Sequence, residues 1–198
     1  METDLSIALD NDHAGISFTD EQVMRQLNTN LLGVILISKA FTPHFREKKN
    51  GMFINVTSTF GLLSYPTCSV YSASKFGVDG FSEGLAYELA QFNVSVKVIA
   101  PGGMQTDFAK RSLDGGSHRS YKALMGKVAE GYSADEVAKY TIPSDIAQVI
   151  FGAATDGKIK LRYVAGEDAR TLFNERVNIG SEAQFRKIRS MFSSLWLI

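Results

Sequence analysis

Apolar positions along the chain alternate between helical spacing and short continuous runs. Residues 20–47 repeat apolar side chains at intervals of three and four after a capping signal at Thr19, so they predict a long amphipathic helix. Residues 52–56 form a short apolar run, which is typical of a strand covered on both faces. A second helix is predicted for 69–92 and a second strand for 94–100.

The second half of the chain carries a weaker pattern. Residues 104–140 lack firm periodicity and predict loops with short helices, including a flexible loop at 111–118. A helix over 144–154 that begins at a capping serine, and a last strand over 161–165, are predicted next, while 167–198 favours a helix and a tail. Because strands alternate with helices, the pattern predicts an α/β fold with a parallel sheet and flanking helices.

Length, composition and charge narrow the class of protein. With 198 residues, of which 44% are hydrophobic and 21% charged, the chain suits one domain spanning residues 1–198. Lys and Arg together number 21, as do Asp and Glu, so bulk charge gives no reason to expect a nucleic-acid or acidic-membrane partner. The amino terminus is acidic and the longest apolar run, residues 31–37, is short. We therefore expect neither a signal peptide nor a membrane span, and a cytoplasmic location.

The cysteine and histidine content argues against a metal site. Cys68 is the single cysteine, which rules out an intramolecular disulfide and a zinc site built from several cysteines. His13, His44 and His118 show no ligand spacing, so no metal site is predicted. Cys68 lies three residues before Tyr71. It either borders a substrate pocket or is a small buried apolar residue.

The most informative segment is Tyr71-Ser72-Ala73-Ser74-Lys75. Tyr71 and Lys75 are four residues apart, so a helix places them on one face. A nearby ammonium favours the phenolate and lowers the pKa of a tyrosine, which would make Tyr71 a general acid or base at neutral pH. Taken alone, the pair could equally be a solvated surface pair. Ser58 follows the strand at 52–56 and precedes Tyr71 by 13 residues, a spacing that lets both hydroxyls reach one substrate oxygen.

Two further polar features lie at or within predicted elements. Pro101, Gly102 and Thr106 follow the strand at 94–100, at the edge of an open α/β sheet where ligands bind. Asn30 places an amide in the middle of an otherwise apolar helix. It either has a functional role or is a plain helix-kink or core amide.

These motifs, in this order, resemble the short-chain dehydrogenase/reductase family over nearly the whole chain. The resemblance implies a Rossmann-like sheet and reversible hydride transfer between NAD or NADP and a small-molecule alcohol or carbonyl compound. The matching segments are Asn30-Leu31-Leu32-Gly33, Ile54-Asn55-Val56-Thr57-Ser58, Tyr71-Ser72-Ala73-Ser74-Lys75, Ser82-Glu83-Gly84-Leu85 with Glu88-Leu89, and Pro101-Gly102 followed by Thr106.

The resemblance also implies a role for each matched residue. Tyr71 would exchange the proton, Ser58 would hold the substrate oxygen, and Lys75 would lower the Tyr71 pKa while binding the nicotinamide ribose. Asn30 would hold a water that links Lys75 to solvent. The residues expected to contact the nicotinamide end of the cofactor are Tyr71, Lys75, Pro101, Gly102 and Thr106.

The sequence departs from the family pattern near its amino terminus. Members usually begin with a strand, a glycine-rich turn and a helix that holds the cofactor pyrophosphate, and this chain has no such segment. We therefore expect the amino-terminal strands of the sheet to be missing, and we interpret Asp12-His13-Ala14-Gly15 as the remains of a later family motif. Two hypotheses stay open: an NAD(P)-dependent oxidoreductase, or a truncated, catalytically inactive remnant that acts through self-association.

The resemblance further implies subunit contacts and the location of a substrate pocket. The helices at 20–47 and 69–92 commonly pair with their copies in this family, so a homodimer or homotetramer is expected. An apolar tail around Trp196 suits packing or subunit contact. The substrate class stays open among alcohols, ketones and steroid-like or lipid-like carbonyl compounds. Much of the pocket is expected from residues 104–140, with Phe108, Tyr121, Leu124, Met125 and Tyr132.

Overall fold

Strands and helices alternate over most of the chain. The computed structural model describes residues 5–7, 18–107, 113–115 and 119–193. The strands are β1 Leu5–Ile7, β2 Gly51–Val56, β3 Val94–Pro101, β4 Leu113–Gly115 and β5 Arg162–Ala165. The α-helices are α1 Asp20–Leu27, α2 Gly33–Lys48, α3 Ser69–Leu89, α4 Lys122–Glu130, α5 Ala134–Val137, α6 Pro143–Thr155, α7 Glu167–Ile179 and α8 Ser181–Met191. A π-helical turn covers Asn28–Leu32, and 3₁₀ turns cover Thr59–Gly61, Ala90–Phe92 and Arg119–Tyr121.

The main sheet is parallel, with the strand order β2-β3-β5. β2 pairs with β3 from Gly51 opposite Val94 to Val56 opposite Ile99. β3 pairs with β5 up to Pro101 opposite Ala165. The predicted parallel α/β sheet is confirmed, and the carboxyl ends of its strands lie at one edge.

Helices cover both faces of this sheet. On one face, Phe53 and Val96 pack with Leu85 of α3 and with Phe45 of α2. On the other face, Ile99, Ala165 and Ile54 pack with Ile146 and Ala153 of α6. Neighbouring residues of β2 thus bury side chains on opposite faces, which explains the continuous apolar run that predicted this strand.

A buried lysine ties β3 to the end of α6. Lys97 is 2% exposed, and its ammonium donates to the Ala153 carbonyl at 2.5 Å and to Asp156 Oδ1 at 2.7 Å. The Tyr163 hydroxyl donates to Asp156 Oδ2 at 2.8 Å. Burial would lower the pKa of Lys97, but the hydrogen bonds to Asp156 and Tyr163 outweigh it and raise that pKa. These contacts join β3, the end of α6 and β5.

The long helix predicted for 20–47 is interrupted at its centre. Thr19 forms the expected capping box with Gln22. At Asn28–Leu32 the chain follows a π-helical turn, in which the Gly33 amide donates to the Asn28 carbonyl, five residues earlier. Asn30 lies inside this turn. A pattern of apolar spacing does not distinguish one wide turn from its α-helical neighbours, so the sequence did not reveal it.

Two local predictions are wrong. Ser144 does not cap the helix near 144–154, because Ile142 holds the cap position and Pro143 begins α6, a position that suits its fixed φ. Residues 111–118 are not all loop, since β4 pairs in parallel with β1. That pairing depends on a segment distant in sequence, which local pattern does not show. The predictions for Asp12-His13-Ala14-Gly15, Phe108, His118 and Trp196 lie outside the described residues.

Candidate functional site

A cleft of about 760 Å³ opens at the carboxyl edge of the main sheet. Its floor includes the ends of β2 and β3 and the turns that follow them. Of the predicted site residues, Ser58, Tyr71, Pro101, Gly102 and Thr106 all line it. Further lining residues come from the segment between β2 and α3, including Phe60 and Tyr65, and from the chain after β3, including Gly103, Met104, Tyr132, Tyr140, Asp168, Leu172, Glu175, Lys187, Ile188, Met191 and Phe192.

Ser58 is held at the end of β2 by two local features. Its extended backbone caps the 3₁₀ turn Thr59–Gly61, and its hydroxyl accepts a hydrogen bond from the Phe60 amide at 3.1 Å. Thr59 Oγ1 donates to the Pro101 carbonyl at 3.0 Å. The ends of β2 and β3 are therefore fixed to each other next to the Ser58 hydroxyl.

Tyr71 and Lys75 lie on the buried face of α3. Tyr71 is 5% exposed, and Lys75 is 1% exposed. The Lys75 ammonium lies 5.7 Å from the centroid of the Tyr71 ring and donates to the Val56 carbonyl at 3.3 Å. The solvated surface pair left open by the sequence is therefore excluded, and the predicted placement on one helix face is confirmed.

The pKa values of this pair differ from the expectation. Burial raises the pKa of Tyr71 to about 12, although a hydrogen bond with Ser58 acts in the opposite direction. Burial also lowers the pKa of Lys75 to about 8. The expectation that the ammonium would depress the Tyr71 pKa is wrong for this structure, because loss of hydration around the phenolate outweighs the favourable contacts. At neutral pH Tyr71 therefore keeps its proton.

Asn30 is buried against α3 and has one free acceptor atom. It is 2% exposed, and its amide nitrogen donates to Ser74 Oγ at 3.3 Å. Ser74 in turn donates to the Tyr71 carbonyl at 2.7 Å. The amide oxygen of Asn30 is buried without a hydrogen-bond partner. The π-helical turn thus places Asn30 against α3, the helix that carries Tyr71 and Lys75, and leaves its amide oxygen unsatisfied.

The turn after β3 is held from two sides. The Gly102 amide donates to the Ala165 carbonyl at 2.9 Å, and the Gly103 amide donates to Asp168 Oδ2 at 2.7 Å. A Cβ at Gly103 would lie 2.6 Å from the Tyr140 ring. Asp168 was missed by the sequence analysis, although Gly166-Glu167-Asp168 directly follows β5, at the same edge where Gly102 follows β3.

An aromatic wall forms another side of the cleft. Phe60 stacks on Tyr65 at 5.8 Å, Tyr65 meets Phe192 edge-on at 5.7 Å, and Phe60 meets Tyr71 edge-on at 6.5 Å. Phe192 follows α8, so the carboxyl-terminal helices close a part of the cleft that the sequence assigned to residues 104–140. These aromatic side chains make this side of the cleft mainly apolar.

The expected pocket residues divide into two groups. Tyr132 lines the cleft, and burial raises its pKa. Tyr121, Leu124 and Met125 are not among the lining residues. Cys68 is 1% exposed, and burial raises the pKa of its thiol to about 12, so it is the small buried residue of the two alternatives.

Comparison with known proteins identifies the family. A family model described as short chain dehydrogenase matches residues 8–115. The chain belongs to the short-chain dehydrogenase/reductase family. The matched segment includes Ser58, Tyr71 and Lys75, so the resemblance predicted from the motifs is confirmed.

Individual relatives match most of this chain but a smaller share of their own length. An uncharacterized oxidoreductase of Schizosaccharomyces pombe is 38% identical over 151 residues, which are 76% of this chain and 64% of the relative. The crystal structure of a short-chain dehydrogenase from Streptomyces avermitilis covers 96% of this chain and 64% of its own, with a TM-score of 0.72 at 24% identity. A Burkholderia cenocepacia short-chain dehydrogenase in complex with NADP covers 96% and 63%, with a TM-score of 0.64 at 16% identity.

The chain spans less than two thirds of the length of each of these relatives. Among the helices that the structure describes, none combines the length and apolar character needed to cross a membrane. Within the same residues, His, Cys, Asp and Glu side chains form no group of three that could hold a metal ion.

Proposed function

We propose that the chain is a nicotinamide-dependent oxidoreductase that interconverts an alcohol and a carbonyl compound. One observation carries the proposal: Tyr71 and Ser58 line one apolar cleft, and Tyr71 lies on the same buried helix face as Lys75. A proton donor, a second hydroxyl for the same substrate oxygen and a cation are the groups that this reaction requires.

The residues present suit the nicotinamide end of a dinucleotide. Pro101, Gly102 and Thr106 line the cleft together with Tyr71, at and just after the end of β3. The sequence contains no glycine-rich turn between a strand and a helix to hold a pyrophosphate. The NADP complex of the Burkholderia relative supports a nicotinamide cofactor in general, and NAD and NADP are both candidates.

Tyr71 acts as the proton donor in the reducing direction. When bound, the cofactor supplies a hydride to the carbonyl carbon. The carbonyl oxygen then takes the proton of the Tyr71 hydroxyl, while Ser58 donates a hydrogen bond to the same oxygen, so the product is the neutral alcohol. With its pKa near 12, the tyrosine is protonated before the reaction at neutral pH.

Lys75 and Asn30 serve the return of the proton. The Lys75 pKa of about 8 lies close to neutral pH, so its ammonium can give up a proton after the Tyr71 phenolate forms. The same ammonium stabilises that phenolate while it exists. The unpaired buried oxygen of Asn30 supports its proposed role in holding a water on the path from Lys75 to solvent.

The walls of the cleft support a substrate with an apolar group next to its carbonyl. Phe60, Tyr65 and Phe192 all line the cleft, and the Phe60 ring meets the Tyr71 ring edge-on. Apolar and aromatic surfaces bind alkyl and ring substituents by removing them from water. Lipid-like and ring ketones are therefore the substrates to test first.

The proposal is tested by cofactor binding and by turnover. We expect saturable quenching of protein fluorescence by NADPH or NADH, followed by reduction of at least one ketone in an apolar panel. Tyr71→Phe should bind the same cofactor with unchanged affinity and lose turnover by about a thousandfold, because the acid is gone. Tyr87→Phe is the matched control, since Tyr87 lies on the same helix and is 74% exposed.

Two results would overturn the proposal. The first is the absence of binding by either cofactor up to millimolar concentration, which would favour the truncated, inactive remnant. The second is a Tyr71→Phe variant that reduces a proven substrate at the wild-type rate.

We also propose that the chain forms a homodimer or homotetramer through its long helices. Leu36, Ile37 and Phe41 of α2 are each about half exposed, and Phe76 of α3 is 41% exposed. Apolar groups of this size on neighbouring helices suit contact with a second copy. Light scattering should give at least twice the mass of the chain, and a monomer would contradict this.

A further inference from the structure

The turn after β3 and the start of α7 meet at the carboxyl edge of the sheet. β3 ends at Pro101 and β5 ends at Ala165, and these two residues are paired. Gly166 then adopts a φ of 101° before α7, and Asp168 lies in the first turn of that helix. The edge therefore brings an acidic side chain next to the turn that is proposed to contact the nicotinamide ring.

Asp168 fills the space that side chains would need at two glycines. A Cβ at Gly102 would overlap the Asp168 carboxylate, and a Cβ at Gly166 would lie 2.8 Å from its Oδ1. The other carboxylate oxygen, Oδ2, accepts the hydrogen bond from the Gly103 amide. Both carboxylate oxygens are thus engaged with the backbone of this edge, one by close packing and one by a charge-assisted hydrogen bond.

The opposite side of the turn is closed by the segment after α5. The Tyr140 ring packs against Gly103, and the Thr141 amide donates to the Gly103 carbonyl at 3.1 Å. The Gly103 residue is therefore held by its amide on one side and by its carbonyl on the other. The acceptor of the hydrogen bond from the Gly103 amide is a side chain, so a single substitution can remove this hydrogen bond.

We propose that Asp168 is a positioning residue that fixes the orientation of the Gly102–Gly103 turn for cofactor binding. This inference rests on the proposed oxidoreductase function. Tyr71 is placed by α3, a separate element, so Asp168 should govern the affinity for the cofactor more than the proton transfer. The carboxylate holds a peptide plane that forms one side of the cleft, and a misplaced peptide there weakens contacts made across it.

The direct test is backbone hydrogen exchange in the protein without cofactor. Asp168→Ala should speed exchange of the Gly103 amide by about tenfold, since a charge-assisted bond is lost. Asp168→Asn should restore most of the protection, because its amide oxygen can accept the same bond. Glu167→Gln is the control, since it removes a charge from the neighbouring exposed residue of the same helix end. Unchanged exchange in Asp168→Ala would overturn the positioning role.

The second test measures cofactor affinity. Asp168→Ala should raise the dissociation constant for NADPH or NADH about tenfold and raise the KM for the cofactor more than it lowers kcat. Asp168→Asn should stay close to wild type. If exchange is faster but affinity is unchanged, the link to cofactor binding is wrong. If the wild type itself binds neither cofactor, the proposed function fails, while the exchange experiment still decides whether Asp168 holds the turn.

Discussion

Lys75 and Lys97 are both fully buried, but their surroundings shift their pKa values in opposite directions. Lys97 lies on the central strand with its ammonium bonded to Asp156 and to the Ala153 carbonyl, and its pKa is raised. Lys75 lies on α3 beside the cleft, where its ammonium donates to the Val56 carbonyl at 3.3 Å and its pKa falls to about 8. The surroundings of Lys97 stabilise its positive charge, and the surroundings of Lys75 make its positive charge unfavourable.

The difference shows how one chain uses the same residue type for structure and for chemistry. A buried charge with a carboxylate and a carbonyl partner holds elements together and stays charged. A buried charge with weaker compensation stays close to the point of losing its proton, which is the property that a proton relay needs.

The largest expected effect is on turnover. Lys75→Met should lower kcat by about a thousandfold in the proposed reaction, because the Tyr71 phenolate loses its stabilising cation and its proton source. Lys97→Met, assayed well below its unfolding temperature, should stay within about threefold of wild type. Steady-state kinetics on both variants measures this, and equal losses would mean that the two lysines do not differ in the way proposed.

The same two variants should change stability in opposite directions. Lys97→Met should lower the free energy of unfolding by about 2 kcal/mol, since Asp156 and the Tyr163 hydroxyl lose a buried partner. Lys75→Met should raise it by about 2 kcal/mol at pH 7, since a poorly compensated charge leaves the interior. Urea unfolding at pH 7 gives both values. A destabilised Lys75→Met would show that the Lys75 ammonium is better satisfied than its contacts suggest.

The pH dependence of stability isolates Lys75. Its pKa is about 8 in the folded chain and 10.5 ordinarily, so between these values the unfolded chain binds a proton that the folded chain has released. The free energy of unfolding should therefore rise with pH in this window, by about 2 kcal/mol up to pH 10. Above pH 10 the raised pKa of Tyr71 acts in the opposite direction. Lys75→Met should lose the rise and Lys97→Met should keep it.

The smallest effect is expected at Asn30. Asn30→Ala should lower kcat about tenfold, since the buried amide oxygen no longer holds the proposed water beside the Lys75 region. Asn28→Ala is the control, because Asn28 belongs to the same π-helical turn but is exposed. Stopped-flow kinetics should show a normal first turnover and a slower steady state, since Tyr71 begins protonated and only the return of its proton is affected. An equal loss in Asn28→Ala would assign the effect to the turn instead.

Much of the sheet and its flanking helices could be predicted from apolar pattern. β2, β3 and β5 begin and end within one residue of the predicted bounds. Their runs are continuous because both faces are covered, as Phe53 and Ile54 show. The π-helical turn and β4 could not be predicted, because the first is a shift in hydrogen bonding within a helical pattern and the second depends on a distant strand.

The residues of the site also fall into a group that the sequence predicts and a group that it does not. Ser58, Tyr71, Pro101, Gly102 and Thr106 all line the cleft, since they follow strands or share a helix face that spacing reveals. The opposite wall could not be predicted, because Asp168 and Phe192 reach the cleft through the folding back of α7 and α8. The direction of the Tyr71 pKa shift also could not be predicted, since burial, which spacing does not measure, raises that pKa.

The π-helical turn absorbs one residue between two helices whose buried faces are fixed by packing. Asn28–Leu32 contains one residue more than an α-helical path would need, as the bond from the Gly33 amide to the Asn28 carbonyl shows. Each helical residue rotates the chain by about 100°. An extra residue in a regular helix would turn α1 by that angle relative to α2, whereas the wide turn confines the change to Asn28–Leu32. The loss of a single codon within this turn would therefore restore regular bonding and leave the faces of α1 and α2 in register, while a loss within α1 or α2 would turn a helix face by about 100°.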